Sequence, residues 1–125
     1  NESPEGPIHP TPIIGMLGTV PDVRRTVGIG FRQAGDRVLL AGLQHPHGGL
    51  NGSEYLAVEH GLDSGRPVAL NLELELKLQQ TVRELVREGL VSSAHDCAEG
   101  GLAVALAESA VAGNLGATVS LAQVS

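Results

Sequence analysis

The chain has 125 residues and a net charge of −6, which already excludes several classes of protein. This acidic balance argues against non-specific binding to nucleic acid, which needs a basic face. No apolar run approaches the ~20 residues of a membrane span, so we expect no membrane partner. The single cysteine cannot form an internal disulfide, which favours a reducing, cytoplasmic location.

The first half of the chain is predicted to contribute strands to a β-sheet. The apolar run 12–20 is bounded by Pro12 and Pro21, and its short length favours a buried strand over a helix. Two further strands are predicted at 27–31 and 37–43. We therefore expect the front of the chain to be rich in sheet.

A glycine-rich loop follows these predicted strands. His45 and His47 have the spacing of a metal chelate, but Pro46 favours an extended backbone and no Cys or Asp nearby completes a ligand set. After this loop, Ser53 is placed to cap a short helix that Gly61 would end.

A turn-rich break at 63–67 is where we expect two structural units to join, with the boundary between residues 66 and 67. Leucines at every second position from 70 to 78 would suit a strand. Leu, Glu, Lys and Gln are strong helix formers, however, and the apolar spacing beyond residue 78 is helical. The sequence therefore predicts a helix over about 72–88, with Gly89 as its end.

The turn that starts at His95 is the predicted functional site. It follows a predicted strand at 90–94 and precedes a predicted helix over about 99–111, which ends near Gly113-Asn114 and leads to a strand at 116–121. A carboxylate on a tight turn, followed by glycines that open a helix, is able to hold a metal ion and a phosphate.

Two interpretations of Asp96 stay open on the residues alone. It either caps the following helix or binds a metal ion. His95 is expected to be a packed or hydrogen-bonding residue, since nothing gives it a nucleophile partner. Cys97 is expected to be a small buried residue, and Glu99 is expected in the first helical turn, where it would offset the helix dipole.

Several stretches occur here in the order found in the phosphoribosylformylglycinamidine synthases, and the chain resembles the synthetase component of that family, PurL. They are PTPIIGMLG at 10–18, GDRVLL at 35–40, GSEYL at 52–56 and SAHDCAEGGLAVALAE at 93–108. Each motif is weak by itself, whereas the ordered set is fairly specific and covers essentially the whole chain.

The resemblance implies an α/β fold of mixed type, similar to that of aminoimidazole ribonucleotide synthetase. Residues 1–66 would be the rear part of an A domain with a mixed sheet, and residues 67–125 the front part of an α/β B domain, both in the second of two repeats. It also implies a ligase that converts formylglycinamide ribonucleotide, ATP and glutamine-derived ammonia into formylglycinamidine ribonucleotide in purine biosynthesis. A glutaminase subunit or domain and a small accessory subunit would be its partners.

The resemblance further implies Asp96 as a ligand of Mg²⁺ near the phosphates of ATP, with Gly100 and Gly101 binding phosphate. Larger members of the family have Ser where this chain has Ala98, so that nucleotide contact is not expected here. The family's catalytic His belongs to the first repeat, and its Gly-Asn-x-Ser motif precedes a Tyr-Asn-Glu of which this chain shows only Asn1-Glu2. We therefore expect this chain to be cut from a longer one and to be inactive alone.

Two alternatives remain open at this point. One is that the chain comes from another enzyme of the superfamily, such as a selenophosphate synthetase or an aminoimidazole ribonucleotide synthetase. Alternatively, its repeat would hold nucleotide only to stabilise the fold, without catalysis.

Overall fold

The computed structural model describes residues 2–4, 6–7, 12–42, 50, 52–66 and 69–120. Its elements in these residues, in chain order, are β1 (Glu2–Ser3), β2 (Gly6–Pro7), a 3₁₀ helix (Val23–Arg25), α1 (Glu54–His60), α2 (Leu72–Arg87) and α3 (Gly101–Gly113). The two strands pair as an antiparallel hairpin, with Glu2 opposite Pro7 and Ser3 opposite Gly6. No helix in the described ranges has the length and apolar character needed to cross a bilayer.

The predicted sheet is not formed by the described residues. Strand pairing there is confined to β1 and β2, and the segments predicted as strands, at 12–20, 27–31, 37–42, 90–94 and 116–120, have no strand partner. A strand is stabilised by hydrogen bonds and packing from a neighbouring strand, and no described segment supplies one. Ile13 and Leu17 are accordingly exposed at 97% and 105%. Of the predicted α/β fold, the described residues thus show the helices but not the predicted sheet.

The two helices predicted before the functional turn are confirmed. α1 follows Ser53 and ends at Gly61, whose φ of 64° is the left-handed conformation that glycine adopts without strain. The predicted capping by the Ser53 side chain is wrong, because its hydroxyl makes no hydrogen bond. Residues 72–87 form a helix rather than the strand that the alternating leucines would have suited. Asn71 begins this helix by accepting a hydrogen bond from the N–H of Leu74 at 3.2 Å.

α3 contains Ala105 and Ser109, which are the buried residues among those described, at 6% and 4% exposure. The segment 28–31 lies against its C-terminal end, where the N–H of Phe31 donates to the carbonyl of Ser109 at 3.0 Å. A Cβ on Gly30 would lie 2.8 Å from the backbone nitrogen of Gly113. The backbone at residue 30 can therefore approach that of residue 113 this closely only because residue 30 is glycine.

Further hydrogen bonds join the two sides of the predicted boundary at 66/67. The N–H of Ala94 donates to the carbonyl of Gly28 at 3.1 Å. The guanidinium of Arg25 donates to the carbonyl of Arg87 at the end of α2. These contacts place the turn at 95–100 beside the 28–31 segment and the start of α3, and the domain division itself stays a prediction.

Candidate functional site

Asp96 lies on the turn that leads into α3, and its side chain is 83% exposed. Its Oδ1 atom is 3.5 Å from Nδ1 of His95. α3 begins at Gly101 with Gly100 at the N-cap position, and no side chain caps it by a hydrogen bond. The capping interpretation of Asp96 is therefore wrong, because its carboxylate is directed to solvent rather than to the first N–H groups of the helix.

Gly100 and Gly101 both have left-handed backbone conformations, with φ of 73° and 69°. A Cβ on Gly100 would lie 2.8 Å from Cβ of Val104, so the turn cannot accept a larger residue there. A Cβ on Gly101 would meet no atom within 4 Å, so the backbone at that position faces open space. The first N–H groups of a helix lack partners within the helix and can bind an anion that reaches them.

His95 is packed between the turn and α3, as expected from the sequence. Its side chain is 18% exposed, and Nδ1 lies 2.7 Å from the carbonyl oxygen of Asp96. Nε2 is buried and lies 3.1 Å from Oε2 of Glu108 on α3, a distance typical of an ion pair, but the two atoms are not aligned for a hydrogen bond. Glu108 was not predicted from the sequence. The one indication of its position near the turn was that an acidic residue stands within an Ala/Leu-rich helix.

Two smaller predictions about this turn are wrong. Cys97 is exposed rather than buried. Glu99 precedes the helix instead of occupying its first turn, because the left-handed conformation of Gly100 delays the start of α3 to residue 101.

The exposed carboxylate of Asp96 has the chemistry that a magnesium ligand requires. The described part of the chain contains no group of three His, Cys, Asp or Glu side chains able to hold a metal. Mg²⁺ is commonly bound by one or two carboxylates together with phosphate oxygens and water. Asp96 supplies one accessible carboxylate of this kind. His45 and His47, the other residues considered for a metal, lie outside the described residues.

A cavity of about 380 Å³ lies away from this turn, between the 3₁₀ helix and the end of α2. Arg24, Arg25 and Arg87 line it together with Glu88. The guanidinium of Arg24 donates two hydrogen bonds to the carboxylate of Asp22, from Nε at 2.9 Å and from Nη2 at 3.0 Å. The positive charge of the cavity is therefore partly neutralised.

Comparison with known proteins gives a consistent result over nearly the whole chain. Residues 33–125 match the sequence model of a family described as AIR synthase related protein, C-terminal domain. No solved structure matches the chain.

Three similar proteins carry the name phosphoribosylformylglycinamidine synthase subunit PurL. That of Moorella thermoacetica is 57% identical over 122 residues, which is 98% of this chain and 16% of the relative. That of Synechococcus sp. strain JA-2-3B'a(2-13) is 53% identical over 92% of this chain and 15% of the relative. That of Anaeromyxobacter sp. strain Fw109-5 is 55% identical over 86% of this chain and 14% of the relative. The chain thus spans about a sixth of the length of these relatives.

Proposed function

The chain belongs to the family of AIR synthase related proteins through their C-terminal domain, and from this membership we propose that it serves as a segment of a phosphoribosylformylglycinamidine synthase subunit. The observation that carries the proposal is the 57% identity to a PurL subunit over 98% of the chain. The reaction would be the ligase step that converts formylglycinamide ribonucleotide, ATP and glutamine-derived ammonia into formylglycinamidine ribonucleotide. The similar proteins bear this name, which favours it over a selenophosphate or aminoimidazole ribonucleotide synthetase.

The turn at 95–101 would bind Mg-nucleotide within such a subunit. Asp96 would hold Mg²⁺ through its exposed carboxylate, and the backbone N–H groups at Gly100 and Gly101 would bind a phosphate. A bound Mg²⁺ would offset the negative charge of the phosphate oxygens. The left-handed glycines and the open space at Gly101 support this arrangement, because they leave the backbone accessible to a ligand.

The remaining parts of the proposal concern the rest of the assembly. A glutaminase subunit or domain and a small accessory subunit would supply ammonia and hold the complex together in the cytoplasm. The segment 1–66 would complete an A domain, and 67–125 would begin a B domain. Catalysis needs several groups converging on one phosphate, and Asp96 would be one such group, so the segment alone would be inactive.

The overall reaction is tested by genetic complementation. A complete subunit carrying these residues should restore growth without purines to a strain that lacks phosphoribosylformylglycinamidine synthase. Failure to do so, with restored growth of a strain that lacks selenophosphate synthetase, would replace the proposal by that alternative.

The role of Asp96 is tested by Asp96→Asn in the complete subunit. Asn keeps the size of the side chain and removes the charge that attracts Mg²⁺, so we expect the rise in Tm caused by Mg-ADP to shrink while the Tm without ligand stays the same. An equal ligand-induced rise in both proteins would remove the metal assignment. If turnover persists in Asp96→Asn while the ligand-induced rise is lost, the site holds nucleotide without catalysis.

A further inference from the structure

The segment 28–31 is bonded to the chain both before and after the turn of the candidate site. Before the turn, Ala94 donates its N–H to the carbonyl of Gly28 at 3.1 Å. After the turn, the carbonyl of Ser109 on α3 accepts a hydrogen bond from the N–H of Phe31 at 3.0 Å. This one segment therefore connects the residue that precedes the turn to the helix that follows it.

The segment lies closer to α3 than a side chain at residue 30 would allow. A Cβ on Gly30 would lie 2.8 Å from both the carbonyl carbon of Ala112 and the nitrogen of Gly113. Both atoms belong to the backbone of α3, so neither can move aside as the end of a flexible side chain could. The seating of the segment on α3 therefore depends on glycine at residue 30.

We propose that the 28–31 segment positions the candidate site by fixing Asp96 relative to the start of α3. Asp96 lies two residues after Ala94, so its backbone follows that anchored residue. Gly101, whose N–H would bind phosphate, is the first residue of α3, and a helix of this length acts as a rigid element. The segment is bonded to Ala94 and to α3, and it thereby holds the two ligand-binding groups in one arrangement.

This inference rests on the proposed binding of Mg-nucleotide at the turn. Mg²⁺ demands near-ideal octahedral geometry, and its ligands there would include the Asp96 carboxylate and a phosphate oxygen. A phosphate without the metal would need only the N–H groups at the start of α3. Displacing the 28–31 segment should therefore weaken the binding of a nucleotide with Mg²⁺ more than the binding of the same nucleotide without it.

The test measures how much Mg²⁺ strengthens ADP binding in the complete subunit. We define the magnesium enhancement as the Kd for ADP in EDTA divided by the Kd for ADP with Mg²⁺, both from calorimetric titration. Gly30→Ala should lower the enhancement about tenfold, as substitutions without contact to a ligand can do, and should leave ADP binding in EDTA unchanged. Partial unfolding would raise both Kd values by the same factor and leave their ratio unchanged. Any other nucleotide site of the subunit contributes equally in every variant.

Gly28→Ala is the matched control within the same segment. A Cβ on Gly28 would lie 3.6 Å from the end of the Arg32 side chain, which is an ordinary contact with a flexible group. The carbonyl that accepts from Ala94 is kept in this variant. Neither Gly28 nor Gly30 has a positive φ, so alanine adds no backbone strain at either position. Gly28→Ala should therefore retain the magnesium enhancement.

Hydrogen exchange in the wild-type subunit provides a second measurement, which does not depend on whether a variant folds. If the segment must be in place for Mg-ADP to bind, Mg-ADP must stabilise the segment in return. The amides of Ala94 and Phe31, which donate the two hydrogen bonds, should exchange more slowly with Mg-ADP than with ADP in EDTA. Equal exchange of these amides under the two conditions would refute the proposal. An equal slowing in α2 would show general stabilisation instead and would also count against it.

Asp96→Asn separates the positioning role from the metal assignment on which it rests. If Asp96→Asn abolishes the enhancement while Gly30→Ala preserves it, the positioning role is refuted and the metal role stands. If Gly30→Ala weakens ADP binding equally with and without Mg²⁺, the segment only stabilises the fold. If Gly28→Ala lowers the enhancement as much as Gly30→Ala, the contact with α3 is not the cause, and the positioning role is again refuted. If Asp96→Asn leaves the enhancement intact, the metal role fails and the positioning role fails with it.

Discussion

The helices α2 and α3 are similar in length but are held in different ways. α2 has a side-chain cap at Asn71, an ion pair between Glu73 and Lys77 at 2.8 Å, and no buried residue. α3 has a glycine N-cap without a side-chain bond, and it contains both Ala105 and Ser109, the buried residues of the described chain. α2 has its cap and ion pair within its own sequence and receives one bond from Arg25 at its last residue, whereas α3 is held by the segments packed against it.

This difference explains why the candidate site lies on α3 rather than on α2. A ligand site needs its groups held in a fixed relation by distant parts of the chain. At the start of α3 Gly101 leaves the backbone open, and the hydrogen bond from Phe31 to Ser109 holds the helix from outside. The local bonds of α2 fix only its own backbone.

The largest expected effect is from Gly113→Ala, which would separate α3 from the 28–31 segment. A Cβ at this position would lie 2.6 Å from the backbone nitrogen of Phe31 and closer still to its carbonyl oxygen. Overpacking of this kind costs about 3 kcal/mol, more than the ~1 kcal/mol that Ala gains over Gly in a helix. Hydrogen exchange should show lost protection in α3 and unchanged protection in α2.

Gly116→Ala is the matched control for that substitution. A Cβ on Gly116 would meet nothing within 4 Å. Its exchange pattern should therefore resemble that of the wild type. Loss of protection in α2 as well as α3 after Gly113→Ala would contradict the separation between the two helices.

An intermediate effect is expected from Asn71→Ala, which removes the side-chain cap of α2. Loss of such a cap costs about 1 kcal/mol, so the first turn of α2 should exchange faster while α3 keeps its protection. Ser53→Ala serves as the comparison, because Ser53 occupies the N-cap position of α1 without a side-chain hydrogen bond. If both substitutions accelerate exchange equally in the first turns of their helices, the side-chain hydrogen bond of Asn71 does not stabilise α2.

The smallest effect concerns the 3₁₀ helix, which is also held by local contacts. The Arg24 guanidinium and backbone N–H bind Asp22 and hold the pKa of its carboxyl below the ordinary value of 3.8. A lowered folded pKa means that the stabilisation is present above the unfolded pKa and is lost as the pH falls through the folded one. Arg24→Gln should raise the pKa of Asp22 in a carboxyl NMR titration, and an unchanged pKa would show that the side-chain pair is unimportant.

The sequence by itself determined the elements that depend on neighbours in the chain. The helix at 72–87 followed from its residue types and apolar spacing, and the ends of α1 and α3 followed from Gly61 and from the Gly113-Asn114 pair. Caps, helix formers and glycine turns act within a few residues, so their effects can be deduced without the fold. The packed character of His95 was also predicted.

Only the tertiary structure decided what depends on residues far apart in the chain. It left Asp96 exposed and placed Glu108 beside His95, thirteen positions apart in the sequence. It also left the apolar run 12–20 without a strand partner among the described residues. Pairing of strands and contacts between distant side chains depend on which segments the fold brings together. The periodicity of apolar residues along the chain does not indicate which segments those are.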